Sequence, residues 1–125
     1  MPISPSHILQ IAIPIQDLER AKRFYGETLG LTHLFDAPPG LAFYQCGQTR
    51  LMLSPPSSEE VAKASILYYY VPDCRAAEAA LAAAGGDIVE GAHCLARVGD
   101  KDIWLATARD SEGNFLGLMS EEPAA

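Results

Sequence analysis

The sequence predicts an α+β fold of two tandem βαβββ units, whose curved mixed sheets enclose a cavity with the helices on the outside. Three observations carry this. A Val/Ile-rich stretch, an Asp, a helical stretch and a Gly stop occur twice. Residues 11–15 lead to Asp17, Ala21, Tyr25 and Gly30, and residues 66–71 lead to Asp73, Ala77, Leu81 and Gly86. All four pairs lie 56 residues apart, a regularity that chance matching at one or two positions would not give. Each half then continues into three short β-patterned stretches. Two half-sheets facing each other leave a cavity between them, the natural place to seek function.

The elements follow in order. Residues 8–15 are apolar and β-branched, hence a strand, and Asp17 offers its carboxylate to the free amides of a helix start. Leu18, Ala21, Phe24, Tyr25 and Leu29 form one helical stripe that Gly30 terminates. Strands are expected at 31–35, 42–46 and 51–54, separated by Pro-Pro-Gly chemistry within 36–40 and by Gly47-Gln48. The polar stretch from Pro55 to Lys63 reads as the linker, with room for one helical turn. The second unit opens at 66–71, caps at Asp73, runs as an Ala-rich helix over 75–84 and stops at Gly85-Gly86. Strands follow at 92–98, 103–108 and 115–119, with turns at Gly99-Asp100 and 110–114. One domain, 1–125, is therefore expected, with units at about 7–54 and 65–120 and a linker at about 55–64.

Composition narrows the function classes. Sixteen acidic against nine basic residues give a formal charge of −7 with no basic cluster, which argues against nucleic acid and anionic membrane surfaces. Cys46, Cys74 and Cys94 are odd in number and lack metal-type spacing, so neither a disulfide framework nor a zinc site is expected. A reducing, cytoplasmic setting fits. The apolar run after His7 is short and holds Gln10 and Pro14, so neither a signal peptide nor a membrane span is expected.

In its motifs the chain resembles the vicinal oxygen chelate superfamily, the fold of glyoxalase I, extradiol dioxygenases and the bleomycin- and fosfomycin-resistance proteins. The matching residues are Asp17-Leu18, Ala21, Phe24-Tyr25 and Leu29-Gly30, then Val71-Pro72-Asp73 with Gly85. The closing stretch Ile103-Trp104-Leu105, Asp110 to Asn114 and Leu118-Met119 resembles the family's last hairpin, with Ser111 where a Pro is usual. Metal-dependent members place ligands on the first and last strand of each unit. The resemblance carries those positions onto Gln10, Met52, Ile66 and Gly117, with a possible one-residue slip at Met52. A divalent ion needs imidazole, carboxylate or thiolate donors, and only Gln10 is any ligand at all, so no metal and no cofactor are expected. The resemblance also implies a homodimer.

Strand alternation puts Gln10 and Ala12 on the inward face, with Ile66, Tyr68 and Tyr70, and with Met52, Phe115, Gly117 and Met119. These residues, with Trp104 at the rim or else on a subunit partner, are the candidate binding surface for a small hydrophobic or aromatic molecule, and Gly117 leaves room where relatives carry a carboxylate. The same residues also read as plain core. Tyr69 is expected on the opposite, helix-covered face. His7 and His33 read as strand-end or exposed residues, whereas His93 is a candidate catalytic base as well as a candidate edge residue. Cys74, in the first turn of the second helix, reads either as an activated thiol or as a small core residue. The function expected is metal-independent binding in the manner of bleomycin-resistance-type proteins. The alternative is a glyoxalase-like lyase or dioxygenase-like enzyme.

Overall fold

The computed structural model describes residues 2–56 and 64–125, so most of the expected linker, with its helical turn, lies outside the described residues. The chain divides into two compact units, 1–64 and 65–125. In the first, β1 (Gln10–Pro14) leads into α1 (Leu18–Lys22), which continues as a π-helical segment (Arg23–Thr28), and then β2 (Thr32–Ala37), β3 (Leu41–Cys46) and β4 (Thr49–Ser54). The second has β5 (Leu67–Tyr70), α2 (Cys74–Ala83), β6 (Asp87–Val98), β7 (Lys101–Arg109) and β8 (Phe115–Pro123). The sheet orders are β1-β4-β3-β2 and β5-β8-β7-β6, with the first pair of each parallel and the rest antiparallel. Each half is thus a βαβββ unit of identical topology.

The two helices start alike and end differently. Asp17 accepts the Arg20 amide at 3.0 Å, and Asp73 accepts that of Ala76 at 3.1 Å. The first helix then widens, the Leu29 amide donating to the Phe24 carbonyl at 2.9 Å, five residues back. From cap to left-handed glycine it is one residue longer: Gly30 has φ 76°, but its counterpart is Gly85, with φ 86°. This corrects the expected pairing of Gly30 with Gly86. Gly86 is a glycine for another reason, since a Cβ there would stand 2.6 Å from Leu81 Cγ and 2.8 Å from the Leu81 carbonyl.

Each sheet buries one face under its helix. In the first unit Ile13, Leu51, Leu53, Ala42 and Tyr44 are buried, as are Ala21, Phe24 and Tyr25 of the helix. In the second, Leu116, Leu118, Ala106 and Ala108 share the core with Cys74 and Leu81. Cys74 is fully buried, its thiol donates to the Leu118 carbonyl at 3.2 Å, and burial pushes its pKa up. It is a core residue, not an activated thiol.

Strand bounds shift where alternation breaks. β6 begins at Asp87, not 92, because register shifts between Ile88 and Glu90 and again between Glu90 and His93 interrupt the two-residue period. β8 runs on to Pro123, past the expected end at 119. Among the described residues, no helix is long and apolar enough to cross a membrane.

Candidate functional site

Register fixes which side chains share the face turned away from each helix. In the first unit Gln10 pairs with Arg50 and Ala12 with Met52, and across β3 Arg50 pairs with Gln45 and Met52 with Phe43. Phe43 in turn faces Phe35 on β2. Met52 thus shares this face with Gln10 and Ala12. In the second unit Tyr68 pairs with Gly117 and Tyr70 with Met119, and β7 adds Thr107 and Leu105 in the same rows. Phe115, two residues before Gly117, shares that side.

Phe43 and Gly117 are buried, but the aromatic residues on the second sheet are not. Tyr68 is 54% exposed, Tyr70 71% and Phe115 43%, and Ile66 beside them is exposed too. The Arg109 guanidinium lies 4.7 Å from the centre of the Phe115 ring. Gly117, however, does not leave an empty slot. A Cβ there would collide with Tyr68 Cδ1 and lie 2.8 Å from Cε1, so the tyrosine ring already occupies the space above the glycine.

Trp104 departs from the expected set. It pairs with Cys94 and with the fully buried Ser120, which puts it on the opposite face from Tyr68, under the Arg75 guanidinium at 4.2 Å. Arg75 also holds Glu122 at 3.0 Å, so the indole supports a structural contact of the helix layer. His93 pairs with Leu105 and shares the Tyr70 row. Its Nδ1 faces the Gly91 carbonyl at 3.0 Å and its Nε2 faces Glu90 at 3.2 Å, two acceptors to which a neutral ring can donate only one at a time.

The positions expected for a metal do not suit one. Gln10 Oε1, the one oxygen among them, accepts from Arg50 Nε at 2.7 Å, which occupies one of its two lone pairs and sets positive charge beside it. Met52 offers a thioether, and Ile66 and Gly117 offer nothing. Among the described residues, no cluster of three or more His, Cys, Asp or Glu could hold an ion.

On the helix side of the first unit, Lys22 and His33 both hold Asp36 at 2.7 Å beside Tyr44, next to a depression of about 350 Å³ that Glu19 and Glu27 also line. Those partners lower the Asp36 pKa, and burial raises that of Tyr44. Tyr44 and Cys46 share this face, which the alternation alone left open.

The family described as Glyoxalase/Bleomycin resistance protein/Dioxygenase superfamily matches residues 7–118. The chain belongs to this superfamily. Among solved structures, TnmS3, an antibiotic binding protein from Streptomyces sp. CB03234, is 26% identical with a TM-score of 0.76, covering 97% of this chain and 100% of its own. Lactoylglutathione lyase from Agrobacterium tumefaciens is 21% identical, with a TM-score of 0.71 and coverage of 93% and 94%. A superfamily member from Sphaerobacter thermophilus DSM 20745 is also 21% identical, with a TM-score of 0.78 and coverage of 94% and 98%. No curated protein matches the chain. Superfamily membership accounts for the repeated unit.

The residue that sequence reasoning missed is Arg50. The strand was expected to begin at 51, one residue too late to include it. Its parity with Met52 was a usable signal.

Proposed function

We propose that this superfamily member binds a small hydrophobic or aromatic molecule without a metal, on the sheet faces that its helices leave uncovered. The observation that carries this is the exposed aromatic set Tyr68, Tyr70 and Phe115 on one face of one sheet. Rings left half in solvent offer a flat partner a stacking surface, with two phenol hydroxyls to orient it. The 26% identity to an antibiotic binding protein agrees with a sequestering role. In this reading the protein is cytoplasmic and homodimeric, and exposed Val89, Leu95 and Val98 on the edge strand β6 are apolar surface that a second copy would cover. Light scattering that stays at 13.4 kDa over a wide concentration range would contradict the dimer.

The lyase or dioxygenase reading requires metal donors that three of the four expected positions, Met52, Ile66 and Gly117, do not supply as imidazole, carboxylate or thiolate. Two measurements separate the readings. Elemental analysis after dialysis is expected to find no stoichiometric zinc, nickel or iron, and about one ion per chain would revive the enzyme. In NMR titrations with the neutral flat probe 2-naphthamide, Tyr68→Ala and Tyr70→Ala should each weaken binding severalfold, while Tyr69→Phe, on the helix side, should leave it unchanged. Equal binding by all four proteins would remove the aromatic face from the site.

A further inference from the structure

The chain carries many more acids than bases, yet its best-placed cation on an uncovered sheet face has no acid. Lys22, Arg75, Arg97 and Arg109 each hold a carboxylate within 3.4 Å. Arg50, half-buried near the start of the inner strand β4, forms an ion pair with no described residue. Its side chain is held in two other ways. Nε donates to Gln10 Oε1 at 2.7 Å, and the guanidinium carbon lies 5.7 Å from the centre of the Phe43 ring. Phe43 is itself stacked on Phe35, with centroids 4.4 Å apart and planes at 23°, and Phe35 is 47% exposed.

A guanidinium has five N–H donors. Among the described residues Gln10 alone accepts from this one, through Nε, which leaves the two terminal amino groups as a fork with no protein acceptor. A fixed, unneutralised fork beside an aromatic stack is matched by a planar group carrying an anionic oxygen, since bidentate pairing to a carboxylate is the geometry that guanidinium favours.

We propose that Arg50 recognises an anionic oxygen, and that the ligand class is aromatic acids, the ring lying against Phe35 and the carboxylate or phenolate on the Arg50 fork. Gln10 is then a positioning residue. Its carbonyl oxygen orients the guanidinium, so the amide does not itself direct the ligand through that atom. This rests on the reading of the uncovered sheet faces as ligand surfaces, and the test separates the two ideas.

The probes are 2-naphthoate and its neutral counterpart 2-naphthamide, titrated into the full chain and followed by NMR at Phe35, Phe43 and Gln10 on the first sheet and at Tyr68, Tyr70 and Phe115 on the second. Wild type should hold the acid about tenfold more tightly than the amide, the effect of one charge-assisted contact. Arg50→Met, which keeps an apolar stem, should erase that preference and leave amide binding alone. Arg50→Lys keeps the charge without the fork and should fall between them. It also preserves a readout should Arg50→Met fail to fold. If wild type binds both probes equally, the Arg50 role is overturned and the aromatic surface stands. If neither probe shifts either sheet face, both readings fall.

Discussion

The two units share one topology and answer the same steric problem in opposite ways. At the centre of the first, β1 supplies the small Ala12 and β4 the large Met52. At the matching place in the second, β5 supplies the large Tyr68 and β8 supplies Gly117, with no side chain at all. One row further, Gln10 and Arg50 give the first unit a polar, cationic patch, where the second has Phe115 beside Ile66. The difference teaches how to read a missing side chain. Taken alone, Gly117 signals space, but taken with its register partner it is a seat for a tyrosine ring.

The comparison breaks most sharply at the last hairpin of each unit. β3 and β4 join through a two-residue turn with Gly47 at φ 60°, which any pair with a leading Gly or Asn can close. β7 and β8 join through a longer loop organised by one side chain. Asp110, 5% exposed, accepts from the amides of Glu112 and Asn114 at 2.8 Å each and from Asn114 Nδ2 at 3.0 Å. Asp110→Ala orphans those donors and should cost about 2–3 kcal/mol in chemical denaturation. Gln48→Ala in the short turn should stay within about 0.5 kcal/mol. A loss under about 1 kcal/mol for Asp110→Ala would show that water replaces the carboxylate and that the two hairpins are equally self-supporting.

The helix ends give the next largest contrast. Gly86→Ala drives a Cβ into Leu81, including its backbone carbonyl at 2.8 Å, and should cost about 1–3 kcal/mol. Gly30→Ala meets open space and bears only the left-handed backbone at φ 76°, about 1 kcal/mol. Should the two melt alike, the one-residue difference introduced by the π-helical segment is not what separates them.

Much of this was legible in the sequence because it rests on local rules. The caps at Asp17 and Asp73 follow from carboxylates placed before apolar stripes, and the sharing of one face by Tyr68, Tyr70, Gly117 and Met119 follows from the two-residue period. What was illegible needs partners distant in sequence. A π-helical turn keeps the apolar stripe but adds a residue, so the 56-residue repeat pointed to Gly86 when the left-handed stop is Gly85. Trp104 was left between the rim and a subunit partner, and its face is fixed only by the register that sets Leu105 and Thr107 opposite Met119 and Gly117. Parity with Met52 could have put Arg50 on that face, but its pairing with Gln10 required the parallel register, which no local pattern encodes.

The finest contrast is between two acids with parallel roles. Asp36 in the first unit is held by Lys22 and His33, and Asp102 in the second by Arg97 at 2.8 Å and by the Ala125 amide at 3.4 Å. Hydrogen bonds from these partners, first Lys22 and first Arg97, lower both carboxyl pKa values below the usual 3.8. A folded-state pKa below the unfolded one means stability that is present above the unfolded value and fades as pH falls through the folded value. Both pairs should therefore matter at neutral pH and weaken only in strong acid. Carboxyl-carbon NMR titration reads them separately. Arg97→Gln should return Asp102 toward the ordinary carboxylate range and leave Asp36 where it was, whereas Lys22→Gln should move Asp36 only part of the way, because His33 still faces its other oxygen. If Lys22→Gln restores Asp36 completely, the His33 contact contributes nothing, and the two acids differ less than their surroundings do.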